Sequence, residues 1–367
     1  MIGDLSYPAT LAITAVSCGV CMVQAACRES RSEGQAPDST TGVWDSAPPA
    51  GGSSATLSSK VPAAVAASAG REAGLRELVL ASLVWPASVA VPVLLSPAAA
   101  YARLFPARLR DERGGVVVGG VALRPPLGLA LGIGAVVVGQ LATIGYHWAR
   151  RQRLLGEPRP VQAKGAREYA FSEGLSSHVA NPEGLLMLGG YLSGTWLLGK
   201  MPASYYSFEG GIDWGRVLCC LLLQDLIQYA AHVGEHSISS WVYRKSHKPH
   251  HRFTNPRLFD AFNGSMTDTA LMILLPLYST AWLVPSCNVW EYMSFGSLYS
   301  TWLTLIHSEY SHPWDAAFRR IGFGTAADHH VHHALFCFNY GHLFLYWDRL
   351  LGTYRDPKDV RKFNNDV

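Results

Sequence analysis

The stretch VLCCLLLQDLIQYAAHVGEH, residues 217–236, is an apolar run that ends in two histidines. Sixteen residues to His232 contain one acid, Asp225, and no base. His232 and His236 are four apart, so a helix puts both rings on one face, about one turn from each other. Asp225 and Gln228 fall on the same stripe. Similar apolar runs lie at about 6–27, 78–100, 127–148, 184–200, 270–286 and 289–307. A bilayer span needs roughly 20 apolar residues. The chain is 49% hydrophobic and 16% charged, against about 25% charged for a soluble domain. These features predict an all-α integral membrane protein, because lipid admits little besides helices and closed barrels. A net charge of +3, widely dispersed, excludes nucleic acid as a partner. The seven cysteines lie mostly in or beside apolar runs and form no disulfide framework.

Around these runs the chain divides into segments. Residues 1–27 form an N-terminal apolar segment with Arg28 and Arg31 after it, which favours a signal anchor over a cleaved targeting peptide. Residues 28–74, rich in Ser, Ala, Gly and Pro, read as a disordered linker. N-terminal membrane helices are expected over 75–216, and a C-terminal tail over 358–367. Residues 149–168 carry five Arg and one Lys, so the positive-inside rule makes them cytosolic. Hairpins through 184–200 and 217–232, then 270–286 and 289–307, put 233–269 and everything after 307 on the cytosolic side. The basic stretch 101–115 conflicts with simple alternation, and Pro86, Pro92 and Pro97 can bend 78–100.

Twelve of fourteen histidines lie between 232 and 342. They cluster as HVGEH, HKPHH (247–251), HSEYSH (307–312) and HHVHH (329–333), with His342 alone afterwards. Each cluster falls at a cytosolic helix end or in a cytosolic segment of that topology. Ten imidazoles from these patterns exceed the four to six ligands one ion takes, so two metals fit better. Imidazole suits Fe, Zn, Cu and Ni alike. Asp225 is a candidate for orienting a metal-bound imidazole through its second nitrogen. His147, His178 and His330 read as structural, as do Glu235, Glu309, Asp260 and Asp268.

The ordered HxxxH, HxxHH and HxxHH motifs, closed by NYGHLFLYWDRLLGTY (339–354), resemble the fatty acid hydroxylase / sterol desaturase superfamily of membrane di-iron oxygenases. The resemblance covers roughly 217–357. WVYRKSHKPHH (241–251) and WDRLLGTYRDP (347–357) look most like sterol C5-desaturases, whereas NPRLFDAFNGSMTDTALM (255–272) departs from that pattern. The resemblance implies transmembrane helical hairpins with a cytosolic helical cap carrying a histidine-rich di-metal site. It implies as metal ligands His232, His236, His247, His250, His251, His307, His312, His329, His332 and His333. It makes Asn339, Tyr340, Gly341, Trp347, Asp348, Gly352 and Thr353 mainly architectural. Two Fe ions, O2 as co-substrate, and cytochrome b5 with its NAD(P)H-dependent reductase as electron donors follow from it, since the chain has no nucleotide-binding fingerprint. The expected activity is O2-dependent desaturation or hydroxylation of a sterol in the endoplasmic reticulum membrane, with a plastid membrane the other location. Hydroxylation of a fatty acyl chain, sphingolipid or carotenoid is the alternative within the class. A His-rich membrane metal-binding or transport protein is the alternative outside it, and the placement of histidines at helix ends rather than mid-membrane speaks against transport.

Overall fold

A computed structural model describes residues 74–106, 116–165 and 167–364. The expected N-terminal apolar segment, and the linker up to residue 73, lie outside the described residues. The fold is mostly helical. The helices that matter for the site are α1 (Val84–Ser88), α2 (Ala90–Leu95), α3 (Ala98–Leu104), α4 (Leu127–Arg151), α5 (Phe171–His178), α6 (Pro182–Leu197), α7 (Trp214–Ser237), α8 (Ser240–Lys245), α9 (Leu275–Leu283), α10 (Val289–Ile306), α11 (Asp315–Arg320), α12 (Ala326–Leu335) and α13 (Tyr346–Leu351).

Among the described residues two helices, α4 and α7, are long and apolar enough to cross a bilayer. At 1.5 Å per residue, 25 residues of α4 reach about 37 Å. Away from the cavity described below it exposes the apolar Val138 and Leu141. The other expected spans differ. The run 78–100 breaks at Leu83, Val89 and Ser96 into short helices, since each proline lacks an N–H and crowds the preceding turn. The 184–200 run is a 16-residue helix. The 270–286 run begins as a π-helical turn over Thr269–Leu274 and continues as the nine-residue α9. Helix α10 has 18 residues but is largely buried, with Glu291 at its start. One departure from an all-α fold is a small antiparallel hairpin, β1 (Val116–Val118) and β2 (Val121–Leu123). Gly119 and Gly120 both have positive φ, which the tight hairpin turn requires.

Helix α10 is the central post. Its most extensive partner is α4, and their close approach runs over Gly139. A Cβ there would lie 3.3 Å from both the Ser88 carbonyl and Thr301 Oγ1. Trp290, Phe295, Tyr299 and Leu303 of α10 join Trp196, Tyr205 and Met201 in the main core. Asn288 and Glu291 form a capping box at the start of α10. Glu291 also accepts a charge-assisted bond from Arg216 at 3.1 Å. This pins the starts of α7 and α10 together, so the two run in the same direction and end side by side at His236 and His307. The end of α4 reaches the same place, where the Tyr146 hydroxyl meets His312. The basic stretch after α4 lies at this end too, with the Val161 N–H donating to the Glu309 carbonyl at 2.9 Å.

Candidate metal centre

Three local devices aim the imidazoles. The last turns of α7 supply His232 and His236. Ser239 caps α8, and the chain then turns tightly: the His247 N–H bonds to the Tyr243 carbonyl, and the His250 and His251 N–H groups to that of His247. Adjacent residues of such a turn point about 100° apart, so His250 and His251 diverge. Helix α12 starts in a capping box of Thr325 and Asp328, with Arg319 on Asp328 at 3.0 Å. On it His329 and His333 share one face, and His332 points to another. His307 sits at the end of α10.

The result is two groups. His232, His236, His247, His251 and His332 form one; His250, His307, His329 and His333 form the other. Within each, the ligand atoms lie within 4.8 Å of one another. Each HxxHH motif thus serves both groups. Facing Nε2 atoms stand 2.8 Å apart for His232 and His247, 3.2 Å for His236 and His251, and 3.0 Å for His332 and His251. In the second group His307 lies 3.2 Å from His250 and 3.0 Å from His329, and His333 lies 3.1 Å from His329.

The outer nitrogens fix the tautomers. The Nδ1–H of His232 donates to the Tyr340 carbonyl at 2.7 Å, that of His307 to Leu303 at 2.7 Å, and that of His332 to Phe338 at 2.8 Å. His247 Nδ1–H donates to Asp268 Oδ1 at 2.6 Å, the carboxylate–histidine arrangement that supports bound metals. His232 and His247 therefore point two lone pairs at each other across 2.8 Å, an arrangement that only a shared cation makes favourable. Two nitrogens about 2.0–2.1 Å from one ion and at right angles are about 2.9 Å apart. Burial, with neighbouring imidazoles adding to it, holds His247, His329, His332 and His333 well below the ordinary histidine range, and burial takes His250 down to about 4. Neutral rings are the form that binds metal. The donor set fits transition-metal ions.

His312, the tenth ligand that the resemblance implies, is not brought to either group. Its Nε2–H donates to the Leu305 carbonyl at 3.0 Å, and its Nδ1 accepts from the Tyr146 hydroxyl at 2.9 Å. The ring stacks on Trp314, and burial pushes its pKa down to about 3. Both nitrogens are occupied in locking the end of α4 to the loop after α10. His312→Ala is expected to keep the full metal content and to lose about 1–3 kcal/mol of stability. Metal analysis and thermal unfolding of the purified variant check this; loss of one metal would return His312 to the ligands.

Asp225 also acts differently from expectation. Among the described residues it accepts from backbone rather than from an imidazole. Its carboxylate accepts the backbone N–H groups of His342, Leu343 and Phe344 at 3.2, 2.8 and 3.1 Å. It thereby holds the loop whose Tyr340 carbonyl orients His232. Asp348 does the same from the other side, accepting from Tyr340 N and Gly341 N at 2.9 and 2.8 Å. Asp268, read from sequence as structural, is the carboxylate that orients a site histidine. His330 faces away toward Gln162. His342, outside the spaced histidine clusters, stands between the groups, its ring 5.0 Å from those of His232 and of His329.

An inner cavity of ≈ 50 Å³ opens on His247, His250, His307, His342 and Gln228. Beyond it lies a larger one of ≈ 390 Å³ between α4, α6, α9 and α10. Leu185, Leu188, Phe262, Ile273 and Leu303 line both. No Asp, Glu, Lys or Arg lines the larger cavity.

Residues 217–353 match the family model described as fatty acid hydroxylase. The chain is 56% identical over 294 residues to the "Alternative squalene epoxidase" of Phaeodactylum tricornutum, covering 78% of this chain and 83% of that protein. It is 32% identical over 161 residues to the "Delta(7)-sterol 5(6)-desaturase" of Leptosphaeria maculans, covering 44% and 41%. It is 32% identical over 144 residues to the "Cholesterol 25-hydroxylase" of Rattus norvegicus, covering 38% and 47%. No solved structure matches the chain.

Proposed function

The chain belongs to the fatty acid hydroxylase family and is an oxidoreductase of lipids, and we propose that within this family it epoxidises squalene. The relative at 56% identity carries that activity in its name, and it shares far more of the chain than the sterol desaturases and hydroxylases do. The carrying observation is the larger cavity, uncharged along its walls, which continues into the inner one where His247, His250 and His307 stand. A fatty acid or phosphorylated substrate would bury an unpaired charge in it; a hydrocarbon would not.

In this reading His232, His236, His247, His251 and His332 hold one iron, and His250, His307, His329 and His333 the other. When bound, the two irons supply the activation of O2. Squalene, O2, two electrons and two protons give the epoxide and water. The protein's part is positional. Leu303 and Ile273 bring one terminal double bond of the chain from the apolar cavity to the imidazoles. Asp268, with the Tyr340, Phe338 and Leu303 carbonyls, keeps four rings in one tautomer and orientation. The same chemistry applied to an unactivated C–H bond gives the hydroxylation or desaturation for which other relatives are named, so epoxidation reflects the bond presented.

The electrons come from cytochrome b5 and its NAD(P)H-dependent reductase at the cytosolic face of the endoplasmic reticulum. His236, the one ligand of the nine that is not fully buried, lies 4.9 Å from the Tyr243 ring, and Arg244, Lys245 and Lys248 beside it are exposed. A basic edge next to a half-buried ligand suits an acidic electron carrier. Expression in a sterol-fed yeast that lacks its own squalene epoxidase tests the reading. Oxidosqualene is expected in cells making the wild type and absent with His332→Ala. Unchanged squalene together with a newly desaturated sterol would assign the chain to the sterol desaturases instead.

A further inference from the structure

Three helices place a glycine on the wall of the larger cavity: Gly132 of α4, Gly189 of α6 and Gly296 of α10. Glycine inside a helix costs about 1 kcal/mol relative to alanine, so some gain must keep it there. Packing supplies none. A Cβ built on Gly189 meets nothing within 4 Å; on Gly132 the nearest atom is Met293 Cγ at 3.8 Å, and on Gly296 it is Val136 Cγ2 at 3.8 Å. Gly128 shows the contrast, since a Cβ there would strike the Trp196 ring. At the other three positions, what the missing side chain leaves is open cavity.

The cavity follows α10 from Val289 to Leu303, about 21 Å at 1.5 Å per residue. Gly296 stands seven residues before Leu303, so about 10 Å from the inner end. One polar group where the two cavities meet indicates that something occupies this space. Gln228 is 2% exposed and lines the inner cavity, which shares Leu185, Leu188, Phe262, Ile273 and Leu303 with the larger one. Its Oε1 has no hydrogen-bond partner among the described residues, a state that is costly unless a ligand or water answers it.

We propose that Gly132, Gly189 and Gly296 fix the length of hydrocarbon the site accepts, by keeping the middle of the cavity open to a long extended isoprenoid. This deepens the epoxidase reading and rests on it. A bulky side chain at these positions closes the channel part-way without disturbing the backbone. A half-length hydrocarbon whose reactive end reaches the imidazoles still fits in front of the block.

The test uses the full-length protein in detergent with its electron donors, and squalene and farnesene as paired substrates. Gly296→Leu and Gly189→Leu are compared with Gly134→Leu and Gly190→Leu. These controls also meet nothing within 4 Å, but lie outside the cavity lining. Lining variants are expected to lose about tenfold or more of kcat/KM for squalene while keeping that for farnesene within about threefold; controls keep both. Ligand-induced stabilisation is read in parallel: squalene should raise the Tm of the wild type and controls but not of the lining variants. Equal loss for both substrates, or unchanged squalene turnover in both lining variants, overturns the proposal. A wild type stabilised by squalene but unable to oxidise it overturns the epoxidase reading alone, and the length selection is then read from the Tm shifts.

Discussion

His250→Ala is expected to lose one of the two proposed metals and His251→Ala the other, and either change is expected to remove nearly all turnover. The two residues are neighbours in sequence, yet His250 Nε2 faces His307 at 3.2 Å while His251 Nε2 faces His236 and His332 at 3.2 and 3.0 Å. Each variant therefore keeps one complete group, and about half the wild-type metal stays bound. Loss of a ligand from a four-imidazole group is more severe than from a five-imidazole group, so His250→Ala should lose its metal more completely. Activity falls by about 10³-fold or more in both, because oxygen activation at such paired sites needs both ions in place. Metal content per chain by plasma mass spectrometry, with turnover on the same preparations, checks this. Loss of all metal from either variant would mean one coupled cluster rather than two groups.

Asp225→Ala is expected to be the most destabilising single change away from the histidines. It leaves three backbone N–H groups, those of His342, Leu343 and Phe344, without their acceptor in a fully buried site. Each orphaned group costs about 1–3 kcal/mol, so a total of about 3 kcal/mol or more is expected. The loop that orients His232 loosens with them, so metal affinity falls as well. Thermal unfolding with and without added iron measures both effects. An unchanged Tm would show that the loop 340–344 is held by Asp348 alone.

Most of the site is written in short-range spacing. An i, i+4 pair on a helix and a pair of adjacent residues in a turn have fixed relative directions, so HVGEH, HKPHH and HHVHH announce how their rings diverge before any tertiary structure is known. His312 shows the limit of that logic. Its spacing from His307 looks like another motif, but the chain leaves the helix at His307 and the segment after it is pulled toward Tyr146. Asp225 is a second limit: a buried acid on a histidine stripe must be satisfied, but whether by imidazoles or by a backbone loop 117 residues later depends on long-range folding. Asp268 reads from sequence only as a structural charge, since the histidine it orients lies 21 residues earlier. Hydropathy does not separate an apolar helix that is largely exposed, such as α4, from one buried among other helices, such as α10, so the apolar runs by themselves do not mark which helices span. The glycines lining the cavity carry no sequence signature, since α4 also has Gly134 and Gly145 outside that lining.

A two-metal oxygenase acting on a hydrocarbon double bond places one atom of O2 in that bond. Purified, iron-loaded protein given reduced cytochrome b5, squalene and ¹⁸O-labelled O2 tests it in one reaction, read by mass spectrometry of the extracted lipid. One heavy oxygen in oxidosqualene, lost in His251→Ala, is the expected result. Squalene returned unchanged while a sterol substrate is desaturated or hydroxylated under the same conditions would contradict it.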